Sequence, residues 1–157
     1  MEQNGESQLT KLTVHAVVPD PNTEAQVVIL HDEQRTQVLP IWVGVAEGNA
    51  IRLALTETPT PRPMTHDLLR NMLEHLNLTV SKVVVEDVKR NTYFARVHLI
   101  AQGIERSVDA RPSDAIALAL RTNSPIFATA SVLRQRGSGS LEAVLAKLNT
   151  KPTITDE

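Results

Sequence analysis

The sequence predicts a compact single domain of the α+β class, with an antiparallel or mixed sheet and two related helix units. Two patterns carry that prediction. Alternating or valine-rich runs follow one another in meander order, and the helical runs are partly segregated from them. The second pattern is an internal repeat: AIRLAL at 50–55 returns as AIALAL at 115–120. The constant offset of 65 matches Ala50, Ile51, Leu53, Ala54 and Leu55 to Ala115, Ile116, Leu118, Ala119 and Leu120. Asn49 then corresponds to Asp114, a helix-starting residue type in both copies. Self-similarity at a fixed offset marks a repeated supersecondary unit, although Ala/Leu-rich helices also resemble one another by chance. A true repeat predicts two equivalent helices packed side by side, with any chemistry where their ends converge.

KLTVHAVV (11–18) alternates, placing Leu12, Val14, Ala16 and Val18 on one face of a strand. Pro19-Asp20-Pro21-Asn22 turns the chain into AQVVILHD (25–32), a second strand, and QVLPIWVG (37–44) forms a third. Pro40 donates no ladder hydrogen bond, so this third strand is expected at an edge or a bulge. The first helix is expected over 47–57, stopping before the proline-rich TPTPRP. Thr65 is the expected N-cap of the next helix, with Leu68, Leu69, Met72, Leu73 and Leu76 in one apolar stripe opposite Asp67, Asn71 and Glu74.

Residues 78–86 read as a valine-rich strand, and 92–100 as a strand with Tyr93, Ala95, Val97 and Leu99 on one face. Gln102-Gly103 is a hairpin turn into 104–110, where Glu105, Ser107 and Asp109 share the polar side. Pro112 opens a helix to about Thr122 that is apolar nearly all round and therefore buried. IFAT (126–129) is a short strand, Gly137-Ser138-Gly139-Ser140 reads as a flexible linker, and Leu141, Val144, Leu145 and Leu148 define a short amphipathic helix. The expected organisation is a disordered N-terminus (1–10), a domain (11–135), a linker (136–140), and a helix with a disordered tail (141–157).

Composition narrows the function. The 157 residues suit one domain with a real core. Without cysteine there are no disulfides or thiol-ligated metals, which fits a cytoplasmic protein. No long apolar run is present and the start, MEQNGESQLT, is polar, so neither a signal peptide nor a membrane association is expected. Net charge is −2, unevenly placed: −5 over 1–51, +4 over 52–136 and −1 over 137–157. The middle segment permits a basic face, and equally a scatter of solvated charges. Four aromatic residues (Trp42, Tyr93, Phe94, Phe127) are too few for an extended single-strand stacking platform.

There is no Walker loop, no GxGxxG and no G-x-S-x-G elbow, and the five histidines lack zinc spacing. Two segments remain: RPMTHDLL (62–69) and DARPSDA (109–115), each an Arg-Pro pair at a helix start followed by a first-turn carboxylate. Helix N-termini present free N–H groups and partial positive charge. With Arg62 and Arg111 beside them, both are candidate phosphate-binding ends. Asp67, Asp109 and Asp114, with Glu47, are candidate oxygen ligands for a divalent metal such as Mg²⁺ or Mn²⁺, which would polarise a phosphoryl group and activate water. His66 is the candidate general acid or base, grouped with Asp67, Asp109 and Asp114 as the catalytic set. The same carboxylates also suit a purely structural use, stabilising helix dipoles or bracing a turn through Arg111.

These segments, with LPIWVG (39–44) and EGNAIRLAL (47–55), resemble the bifunctional nuclease domain family. The resemblance runs from about 11 to 135 and is carried by RPMTHDLL and DARPSDAIALAL together. It implies a compact, self-associating α+β domain that degrades both DNA and RNA. It also marks His66, Asp67, Asp109, Arg111 and Asp114 as residues within the shared motifs. Some members add an excision-repair-type motif; residues 137–157 supply only a linker and one short helix.

The leading expectation is a metal-assisted phosphodiesterase, acting on DNA and RNA with low sequence specificity. The alternative is a non-catalytic oligomeric module for a phosphorylated small ligand, and a third is an assembly protein whose motifs serve only the fold. A homo-oligomer is expected, from the apolar repeated helices and the C-terminal helix.

Overall fold

A computed structural model describes residues 8–149. The expectations for residues 1–7 and for the tail after 149 lie outside the described residues. The alternating run at the start forms β1 (Leu9–Pro19), which pairs antiparallel with β2 (Gln26–His31), and β2 pairs antiparallel with β3 (Val38–Val43). Helix α1 (Val45–Leu55) follows, two residues earlier than the sequence suggests. After α2 (Thr65–His75) the pattern returns: β4 (Thr79–Lys89), β5 (Thr92–Ala101) and β6 (Ile104–Ala110) form a second antiparallel meander, followed by α3 (Pro112–Thr122). The repeat first visible in two short helical stretches therefore extends to a whole three-strand-and-helix unit. Asn49 and Asp114 are not equivalent starts, however: Asn49 sits in the second turn of α1, Asp114 in the first turn of α3.

The short β7 (Ile126–Thr129) joins the halves, antiparallel to β1 and parallel to β4, giving one seven-stranded mixed sheet in the order β3-β2-β1-β7-β4-β5-β6. β3 is an edge, as Pro40 requires. The left-handed pair Gln102 and Gly103 makes the β5–β6 turn, the geometry that hairpins prefer. In β1 the expected face does not hold to its end. A register shift between Val14 and Ala16 inserts one residue, so Val17 joins Leu12 and Val14 against the main core while Val18 turns to the opposite face.

The main core lies between the sheet and the helices, with Ile51 and Ile116 of the two repeat copies fully buried. α1 and α3 pack side by side, as the repeat predicts. Gly48 permits the close approach of α1: a Cβ there would meet the Gln26 side chain at 2.8 Å. α4 (Ala130–Arg136), which was not anticipated, is capped by the Thr129 hydroxyl accepting from the Val132 N–H at 3.2 Å. On the other face α5 (Leu141–Asn149) places Leu141 and Val144 over Val27, Ile29 and Val38. Its approach is not a free linker. Ser138 forms a two-way backbone bridge with Val38 (2.7 and 3.2 Å), and Ser140 Oγ accepts from the Ala143 N–H.

α2 departs most from expectation. Met64, not Thr65, is the N-cap, and the Asp67 carboxylate accepts the Met64 N–H at 2.9 Å. Of the predicted apolar stripe, Leu73 packs on the core, whereas Leu68, Leu69, Met72 and Leu76 are exposed. The buried residue of this helix is His66. α2 lies against α3, so its inward side meets a helix flank rather than the sheet. No described helix is long and apolar enough to cross a membrane.

Candidate functional site

The N-termini of α1 and α3 converge, and Arg111 joins them. It is the N-cap residue of α3 and points outward, its side chain 62% exposed. Its Nε donates to Asp114 Oδ2 at 2.8 Å and its Nη2 to Asp114 Oδ1 at 3.2 Å, a forked grip on one carboxylate. Its Nη1 donates to Glu47 Oε2 at 3.1 Å, across 64 residues of sequence. The hydrogen bonds it donates to Asp114 and Glu47 raise the Arg111 pKa, which keeps the guanidinium charged. Burial of Asp114 opposes its ionisation, but Arg111 and His66 outweigh this and hold its carboxyl below the ordinary value.

His66 sits behind Asp114. Its Nε2 donates to Asp114 Oδ1 at 2.9 Å, and its Nδ1 is enclosed with no partner among the described residues. At 7% exposure the imidazole is not placed to trade protons with a substrate in the cleft described below. It positions Asp114, and through it Arg111.

Asp67 belongs to a separate, internal pair. Arg121, with only 5% of its side chain exposed, donates to Asp67 Oδ1 at 2.8 Å and to the carbonyls of Ala117 and Ala50. One guanidinium thus ties α1, α2 and α3 together. Burial of Asp67 is outweighed by the Met64 N–H and by Arg121, so its pKa is also lowered. A cleft of about 380 Å³ adjoins this pair, but Arg121 and Asp67 on its wall already satisfy each other.

The remaining candidates stand apart. Arg62 is exposed and its guanidinium makes no ion pair among the described residues; only its carbonyl is engaged, by the Thr60 hydroxyl. Asp109 is exposed on the edge strand β6. The set Glu47, Asp67, Asp109 and Asp114 is therefore not gathered into one centre. Among the described residues no three histidine, aspartate or glutamate side chains are close enough to hold a metal. Glu47 and Asp114 are both held by the Arg111 guanidinium, so the donor set as arranged does not fit a resident divalent ion.

Beside Arg111 lies a cleft of about 390 Å³, walled by the end of β3, the β4–β5 turn and the first turns of α1 and α3. Glu47, Arg111, Ser113, Trp42 and Tyr93 line it; His66 and Asp114 do not. The Glu47 carboxylate folds back over the helix start beside Gly44, where a Cβ would displace it. Sequence reasoning missed three participants: Trp42, Ser113 and Arg121. Arg121 had a readable signal, since a charged residue closing a helix that is apolar nearly all round needs a buried partner.

The sequence model of the bifunctional nuclease domain matches residues 28–140, beginning later than the resemblance suggested and running on through Ser140. An uncharacterized protein of Mycobacterium tuberculosis is 37% identical over 111 residues, 71% of this chain and 66% of that protein. Bifunctional nuclease 1 of Oryza sativa subsp. japonica is 29% identical over 103 residues, 64% of this chain and 31% of its own length. Bifunctional nuclease 1 of Arabidopsis thaliana is 26% identical over 142 residues, covering 88% of this chain and 43% of the plant protein. The aligned part thus spans just under two thirds of the mycobacterial relative and less than half of the plant ones. The chain belongs to the bifunctional nuclease domain family.

Proposed function

We propose that this member of the bifunctional nuclease domain family hydrolyses phosphodiester bonds of DNA and RNA at the cleft beside Arg111. The observation that carries the reading is the state of that guanidinium. Three of its five N–H donors are spent on Asp114 and Glu47, and two remain for phosphoryl oxygens. Asp114 and His66 hold it in place, so its charge is preorganised where negative charge grows in the transition state. Glu47 is the carboxylate on the cleft wall and accepts the proton of the attacking water. The water oxygen bonds to phosphorus, the ester P–O bond breaks, and the leaving oxygen takes a proton from solvent. Phosphate contacts carry no sequence information, which supports low specificity. The net charge of −2 supports modest, salt-sensitive affinity. The carboxylates do not form a metal centre, so no step is routed through one.

The second reading, a non-catalytic module for a phosphorylated ligand, is favoured by the enclosure of His66, which leaves the cleft without a histidine. Self-association is a further part of the proposal, supported by the exposed Leu68, Met72 and Leu76 on α2, and light scattering of the full chain tests it. The deciding assay incubates the purified chain and Arg111→Ala with labelled single- and double-stranded DNA and RNA, in EDTA and in Mg²⁺ or Mn²⁺. Cleavage by the parent that is lost in a folded variant supports the nuclease. Intact substrate under every condition removes it.

A further inference from the structure

Within the cleft, Ser113 has no role in what has been described. It is the second residue of α3, only 6% exposed, and its hydroxyl makes no hydrogen bond among the described residues although it lines the cleft. Among the described residues only His66 Nδ1 is an enclosed side-chain atom without a partner, so the Ser113 hydroxyl is reachable from the cleft and its donor is free for a ligand there. The groups around it are donors too: the free first-turn N–H groups of α3 and the two spare N–H groups of Arg111. Together they suit a group made only of acceptors and carrying negative charge. Glu47 opposes a second charge nearby, which favours a singly charged phosphodiester over a free dianion.

Trp42 supplies the other half. It is 52% exposed on the cleft, and its indole N–H donates to Asp20 Oδ2 at 3.0 Å, which fixes the ring while leaving it open to solvent. A large aromatic held rigid and uncovered beside an anion-binding corner matches a ligand that pairs a planar ring with a phosphate. The volume of about 390 Å³ suits one such unit.

We propose that this cleft is a one-nucleotide subsite, in which Ser113 Oγ and the start of α3 hold the phosphate while the base stacks on Trp42. The assignment rests on the nucleic-acid reading of the cleft, and its test separates the two. Trp42 is the only tryptophan in the chain, so its emission reports occupancy directly. The methyl ester of adenosine 5′-monophosphate, a singly charged phosphodiester, titrated into the full chain quenches that emission saturably, and dimethyl phosphate competes without quenching. Ser113→Ala weakens binding about tenfold with an unchanged melting temperature. Trp42→Leu, read by calorimetry, weakens it by about tenfold as well. Glu47→Gln tightens it. Absence of saturable quenching up to about 1 mM overturns the subsite, as does undiminished binding by a folded Ser113→Ala. Nucleotide binding without cleavage of DNA or RNA keeps the subsite and removes the nuclease; cleavage without nucleotide binding does the reverse.

Discussion

The starts of α2 and α3 carry the same ingredients: an Arg-Pro pair, a buried polar residue at the second helical position, and an aspartate at the third. In α3 the arginine is the N-cap, three residues before Asp114, and grips it bidentately at the surface. In α2 the cap falls at Met64, so Arg62 lies two residues further out, five from Asp67, and points to solvent. Asp67 pairs instead with Arg121 from the far end of α3, inside the helix layer. One aspartate is thus spent on holding three helices together, and the other holds a cation at the edge of a cleft. The lesson is that a two-residue change in spacing decides whether a charge pair is internal bracing or part of a site.

Breaking the internal pair gives the largest expected effect. Arg121→Ala leaves the Asp67 carboxylate with the Met64 N–H but no countercharge and takes the guanidinium bonds from two helix carbonyls, and a cost of about 3 kcal/mol in urea denaturation is expected. A loss below about 1 kcal/mol would mean that the pair is no more than a surface contact. Arg111→Ala inverts the pattern: stability falls by less than about 1 kcal/mol because the pair is exposed, whereas cleavage falls by about 10²–10³-fold. Equal losses of stability and activity would erase the distinction between the two ends.

Acid sharpens the comparison next. Asp67 and Asp114 both have folded-state pKa values below the unfolded 3.8. Their stabilisation is therefore complete above that value and disappears as pH falls through the folded values. Asp67→Asn should flatten the acid limb of the stability curve, and more so than Asp114→Asn, whose partner Arg111 is solvated; the reverse order would contradict the assignment of bracing to α2. The smallest effect is expected from Arg62→Ala, less than about 0.5 kcal/mol in stability and less than threefold in cleavage. A larger drop in cleavage would restore the equivalence of the two starts.

Much of this was legible beforehand because it depends on neighbours in sequence. The period-2 runs marked the strands, Pro40 placed β3 at an edge, Pro112 opened α3, and the matched Ile51 and Ile116 foretold paired helices. The failures share a cause. The apolar stripe of α2 has the right period, but period says which residues share a face and not what that face meets; α3 took the His66 side and left Leu68, Met72 and Leu76 outside. The carboxylates of the candidate metal set are likewise dispersed: Glu47, Asp67, Asp109 and Asp114 look alike in sequence, but Arg111 holds its neighbour Asp114 and the distant Glu47, and Arg121 holds the distant Asp67. Composition also misjudged the stretch before α5, where one backbone bridge from Ser138 to Val38 removes the freedom that glycine and serine suggest.

By itself the sequence determined the element types apart from α4, the repeated helical stretch and the family, since propensity, alternation and capping act over a few residues. Only the tertiary structure decided which charges meet. Arg111 reaches Glu47 across 64 residues and Arg121 reaches Asp67 across 54, and such partners exist only once β7 has joined the two halves of the sheet and set α1 beside α3. An ion pair requires atoms within about 4 Å, and no local rule sets the distance between residues so far apart in the chain.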